Sequence, residues 1–95
     1  MSVDKNKNIQ AAQKLLSGGK VDKAIPLLQE VADAFPKEWN IVNQLGDLYA
    51  QVNNQKRAIE MYLRIGNHFA EDGFTLKAIA IFKKVTRLNP SLWEA

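Results

Sequence analysis

Few side chains in this sequence have the types and spacing that chemistry needs. His68 is the only histidine in the 95 residues and there is no cysteine. One imidazole does not complete a metal site of the usual kind, and disulfides, thiolate catalysis and cysteine-ligated zinc are excluded outright. His68 shares a polar helical stripe with Arg64 and Glu71, where a solvated side chain is expected. Asp47 and Glu71 supply two carboxylates that could act as acid and base, but nothing in their surroundings sets either apart. Gly18-Gly19-Lys20 has the small residues and the lysine of a phosphate loop without the rest of that motif, and a helix end explains both glycines. The chain is therefore expected not to be an enzyme and to use no cofactor or metal.

The remaining chemistry is that of association. At 46% apolar and 24% charged residues the chain has the balance of a folded soluble domain, and its length allows one small domain with a modest core. No apolar run approaches the ~20 residues of a membrane span, and Met1-Ser2-Val3-Asp4-Lys5-Asn6 has no secretion-signal core, so a cytoplasmic protein with no membrane partner is expected. The net charge of +3 biases weakly toward acidic partners and falls well short of a nucleic-acid signature. Basic residues do gather late: Lys56, Arg57, Arg64, Lys77, Lys83, Lys84 and Arg87 stand against Glu60, Glu71 and Asp72. Docking to an acidic protein or nucleic-acid surface is thus the alternative function, although no aromatic is interleaved for base stacking.

Five helices must carry these residues. Asp4 is a suitable N-cap for a first helix over about residues 5 to 17, with Ile9, Ala12, Leu15 and Leu16 on one face. Gly18 or Gly19 then takes the left-handed conformation that closes it. A second helix over about 21 to 34 carries Ala24, Leu27, Leu28 and Val31 and stops at Phe35-Pro36; Pro26 implies a later start or a distorted first turn. Trp39 to Gln51 forms the third, with Val52-Asn53-Asn54 as its turn. The fourth, about Gln55 to Glu71, confines Arg57, Glu60, Arg64, Asn67, His68 and Glu71 to one stripe, so it is covered on more than one side. Asp72-Gly73 turns the chain into a fifth helix, about Thr75 to Leu88, ended by Asn89-Pro90. No segment alternates long enough for a strand.

The helices repeat. Ala12, Leu15, Ala24, Leu28 and Pro36 precede Gly46, Tyr49, Ala58, Tyr62 and Ala70 by 34 residues, and Ile65-Gly66, Phe69, Ala78, Phe82 and Pro90 follow the second series by only 20. Small Gly46 and Ala58 let two helix backbones approach, and Tyr49 and Tyr62 fill the space beside them. The pattern of Leu-Gly, an aromatic three residues after the Gly, then Ala and an aromatic four residues on resembles the tetratricopeptide repeat. Val42 and Asn8 stand where that family favours Trp, and Ala70 replaces a terminal Pro. The resemblance implies an all-α fold of about five helices, helical hairpins stacked as a short right-handed superhelix. One domain would span 1–95, with repeats over about 5–38 and 39–72 and an overlapping third over about 59–92. The fourth helix would then serve two repeats, a departure from a regular array.

By the same resemblance the first helix of each pair lines a concave groove that holds a protein or peptide partner. This places Asn6, Ile9, Gln13, Asn40, Asn43, Asp47 and Gln51 in the groove, with Glu60, Leu63, Asn67 and Glu71 if the third pair behaves alike. Amides dominate, and an amide donates and accepts at once, which suits an extended peptide backbone or a partner helix. The family subclass that clamps a chaperone's C-terminal carboxylate uses basic residues where this chain has Ile9, Asn43 and Asp47, so that ligand is not expected. Finally, Leu76, Ile79 and Ala80 lie off the packing face of the fifth helix, and Asn89 to Ala95 resembles the opening of a further repeat. The expected cover is either a following repeat in a longer polypeptide or a homodimer through Leu76, Ile79, Ala80 and Trp93.

Overall fold

Three residues in the left-handed conformation punctuate the computed structural model, which describes residues 3–89. They are Gly19 (φ +77°), Asn53 (φ 64°) and Gly73 (φ 83°). Each follows a helix C-cap, and the next residue donates its N–H five residues back: Lys20 to Leu15, Asn54 to Tyr49 and Phe74 to Phe69, each at 2.8 Å. The left-handed residue itself donates three back, to Leu16, Ala50 and Ala70. This double closure satisfies carbonyls that the helix end would otherwise leave without donors. One bonding pattern therefore makes three tight reversals, although only two of them use glycine.

Between the reversals run α1 (Lys5–Ser17), α2 (Val21–Ala34), α3 (Trp39–Gln51), α4 (Gln55–Glu71) and α5 (Thr75–Leu88). No strand occurs among the described residues. Asp4 caps α1 by accepting from the Lys7 N–H at 3.0 Å, and Asn54 caps α4 by accepting from Arg57 at 3.3 Å. The sequence implied a late or distorted start for α2, yet the helix begins at Val21 and runs through Pro26. Pro26 stands on an exposed side, where water can serve the carbonyl one turn back.

Each helix packs chiefly on the next: α1 on α2, α2 on α3, α3 on α4 and α4 on α5. The contacts are built as the small and aromatic residues require. Ala12, Ala24 and Ala58 are fully buried, as are Val31, Val42 and Val85, and Tyr62 is 3% exposed. A methyl placed on Gly46 would meet the Tyr62 ring at 2.5 to 3.0 Å, so the ring lies on the bare backbone of α3. Gly66 has the same relation to the Phe82 ring, whose Cδ1 and Cζ would stand 2.8 Å from an added methyl. Thus α4 lays an aromatic ring on α3 and receives one from α5, and it is covered on two sides as its apolar circumference demands. Burying apolar side chains of this size contributes about 1.5–3 kcal/mol each, so successive helix contacts carry the fold.

Candidate functional site

The polar line of α3 comprises Asn40, Asn43, Asp47 and Gln51, spaced by three or four residues and therefore on one face. Asn40, Asp47 and Gln51 are exposed, and Asn43 is half-buried. The Asn43 Oδ1 is enclosed and accepts no hydrogen bond among the described residues. Asp47 reaches beyond its own helix. It accepts a short hydrogen bond from the Tyr62 hydroxyl of α4, and the Lys84 ammonium of α5 stands 3.4 Å from the same oxygen. Lys84 also lies 5.1 Å from the centre of the Tyr62 ring, a cation over an aromatic face. Burial, then the bond to Asp47 and the Asp47 charge, push the Tyr62 phenol well above its usual range, so it remains a donor. Three helices meet here, and beside them Ala50, Tyr62, Lys84, Arg87 and Leu88 line a concavity of about 250 Å³.

The other expected groove residues divide. Asn6 and Gln13 are exposed on α1. Asn67 and Glu71 lie about half a turn around α4 from Tyr62, and so on the other side of that helix from Asp47. There, with Pro36, Lys37, Trp39, Arg64 and His68, they line a second concavity of about 360 Å³. The eight amide and acid candidates therefore do not share one surface; those of α3 and those of α4 face different ways. His68 corrects the sequence reading. Instead of standing free in solvent it stacks on Trp39, with ring centres 4.0 Å apart and planes 17° from parallel, and its Nε2 is 3.5 Å from Asp72. Arg64 on the same stripe donates to the carbonyls of Ala32 (3.5 Å) and Pro36 (3.4 Å), tying α4 to the end of α2. Similarly, Tyr49 donates to Gln29 at 2.7 Å and joins α3 to α2; burial raises the phenol's pKa.

Leu76 and Ile79 are 83% and 44% exposed on α5, and Ala80 is exposed beside them. Trp93, the remaining residue of the expected self-association set, lies outside the described residues, as does Pro90. Sequence reasoning missed the joining of Asp47 to Lys84. Both residues had been noticed, one as a groove acid and one in a basic cluster, but no local signal showed that α5 returns to the side of α3.

Helical hairpins closed by small residues, each stacked on its neighbour, define a helical-repeat protein. A family model described as tetratricopeptide repeat matches residues 15–80, and the chain belongs to that family. No match was found among curated proteins. Tetratricopeptide repeats generally mediate protein–protein interaction and generally serve as non-enzymatic scaffolds. No helix among the described residues is long and apolar enough to cross a membrane.

Proposed function

We propose that this chain is an interaction scaffold that holds an extended peptide or a partner helix along the polar side of α3. The carrying observation is the α3 line Asn40, Asn43, Asp47 and Gln51, with an enclosed Asn43 oxygen lacking a donor and a three-helix concavity alongside. A buried acceptor left without a partner costs about 1–3 kcal/mol, a cost that a donor from a bound backbone would remove on reaching it. The reading takes 5–38 and 39–72 as the first two repeats and 59–92 as an overlapping third. The rings laid on Gly46 and Gly66 support the overlap, because α4 makes the same kind of contact in both roles.

The electrostatic alternative has less support. Four of its seven cations are engaged within the fold: Arg57 with Glu60, Arg64 with two carbonyls, Lys84 with Asp47, and Lys77 over Phe69 and Phe74. A peptide-array screen at low and high salt separates the two, since pairing of exposed charges is screened within about 10 Å at 0.1 M salt. Groove binding should persist at high salt and weaken about tenfold in Asn43→Ala, a loss of ~1.4 kcal/mol. Binding that vanishes with salt and ignores Asn43→Ala would overturn the proposal.

A further inference from the structure

Helix α5 presents its outer side to solvent with an organised composition. Leu76, Ile79, Ala80, Lys83 and Arg87 follow at intervals of one, three or four residues and form one stripe, all exposed. Leu76 at 83% is the most exposed large apolar side chain among the described residues, and Phe74 at 51% adjoins the stripe where the helix begins. The first half of the stripe is therefore apolar and the second cationic, Leu76 and Lys83 being about 10 Å apart along the axis. The remaining cations of α5 are turned elsewhere: Lys77 over the rings of Phe69 and Phe74, and Lys84 onto Asp47. Lys83 and Arg87 pair with no carboxylate among the described residues, and α5 itself contains no Asp or Glu.

We infer that this stripe docks an amphipathic helix of a partner protein, with apolar anchors over Leu76 and Ile79 and acidic residues about two turns along, opposite Lys83 and Arg87. Apolar burial supplies attraction without direction. The two cations set register and select against basic partners. A second copy of this chain is a poor occupant through α1 or α5. Like α5, α1 contains no acidic residue and carries Lys5, Lys7 and Lys14, so α1 on α5 or α5 on α5 sets cation against cation. Ala80, small between the larger Leu76 and Lys83, lets an incoming helix approach closely. This surface shares only Arg87 with the concavity beside the α3 line, and the inference does not rest on the peptide reading.

The test uses two labelled synthetic peptides of about 18 residues, long enough to hold a helix. Both carry leucines on one stripe; one is flanked by glutamates and the other by lysines. Fluorescence anisotropy against the full chain should show the glutamate peptide binding at least tenfold more tightly. Leu76→Glu with Ile79→Glu should abolish that binding. Lys83→Glu with Arg87→Glu should reverse the preference toward the lysine peptide, while Lys14→Glu with Lys20→Glu, an equal charge change on the α1 side, should leave the preference in place. All substituted residues are exposed, and circular dichroism verifies that each variant keeps its helices. Equal binding of both peptides, or equal loss in the α1-side variant, would overturn the inference. So would a dimer of the unmodified chain in sedimentation that Leu76→Glu with Ile79→Glu dissolves, because a second copy would then be the occupant.

Discussion

Placing a side chain on Gly46 should separate α3 from α4, and the structure allows the size of the effect to be worked out. A methyl at this position lies 2.5 Å from Tyr62 Cε1 and 2.8 Å from Cδ1, closer than carbon atoms tolerate. The ring cannot simply step aside, because it is 3% exposed and its hydroxyl is held by Asp47. Overpacking of this kind costs about 1–3 kcal/mol. In Gly46→Ala about 1 kcal/mol returns through helix propensity, for a net loss of about 0–2 kcal/mol. Gly46→Leu gains a similar propensity term but brings a larger side chain to the same wall, and should fall at the upper end of that range, a net loss of about 2 kcal/mol. For a domain of this length each kcal/mol lowers the melting temperature by about 4–8 °C. Thermal melts of Gly46→Ala, Gly46→Leu, Tyr62→Ala and the Gly46→Leu/Tyr62→Ala double variant measure the coupling directly. The double variant should lose less than the sum of the single ones, since removing the ring makes room for leucine. If Gly46→Leu melts with the unmodified chain, or the double variant is strictly additive, the close approach of α3 and α4 at this residue is wrong.

Two further outcomes follow from local geometry. Because the Tyr62 phenol titrates higher in the folded state than its unfolded value of 10.0, its contribution is intact below about pH 10 and is lost as pH rises toward the folded value; denaturant melts at alkaline pH should show this decline, reduced in Tyr62→Phe. Gly19→Ala and Gly73→Ala should each cost about 1 kcal/mol in urea unfolding, although a methyl at either meets nothing within 4 Å, whereas Asn53→Gly should cost at most a few tenths, because only the left-handed backbone is at issue.

Much of the fold was legible because it is made of local contacts. Helix ends at Asp4, at Gly18-Gly19 and at Gly73 were readable, because each acts within a few residues of itself, whereas the Asn54 cap lay in a stretch read only as a turn. The repeat offsets of 34 and 20 residues were equally readable, since Ala12, Gly46 and Gly66 are each followed sixteen residues on by a large apolar or aromatic residue, Leu28, Tyr62 and Phe82. Pro26 misled, because a local rule against proline gave way to the burial of Ala24, Ile25, Leu28 and Val31 on the other sides of the same helix. The candidate site was legible only in part. The α3 amides form a stripe by helical period alone, but their relation to Lys84 depends on how α5 returns across α4, which no period in the sequence encodes. His68 makes the same point: its stripe was read correctly as polar, yet Trp39, 29 positions earlier, supplies the aromatic face it lies on. Periodicity determines which side chains share a helix face, because that is a property of a single helix. What the face meets is decided by packing between helices, where contacts join residues tens of positions apart.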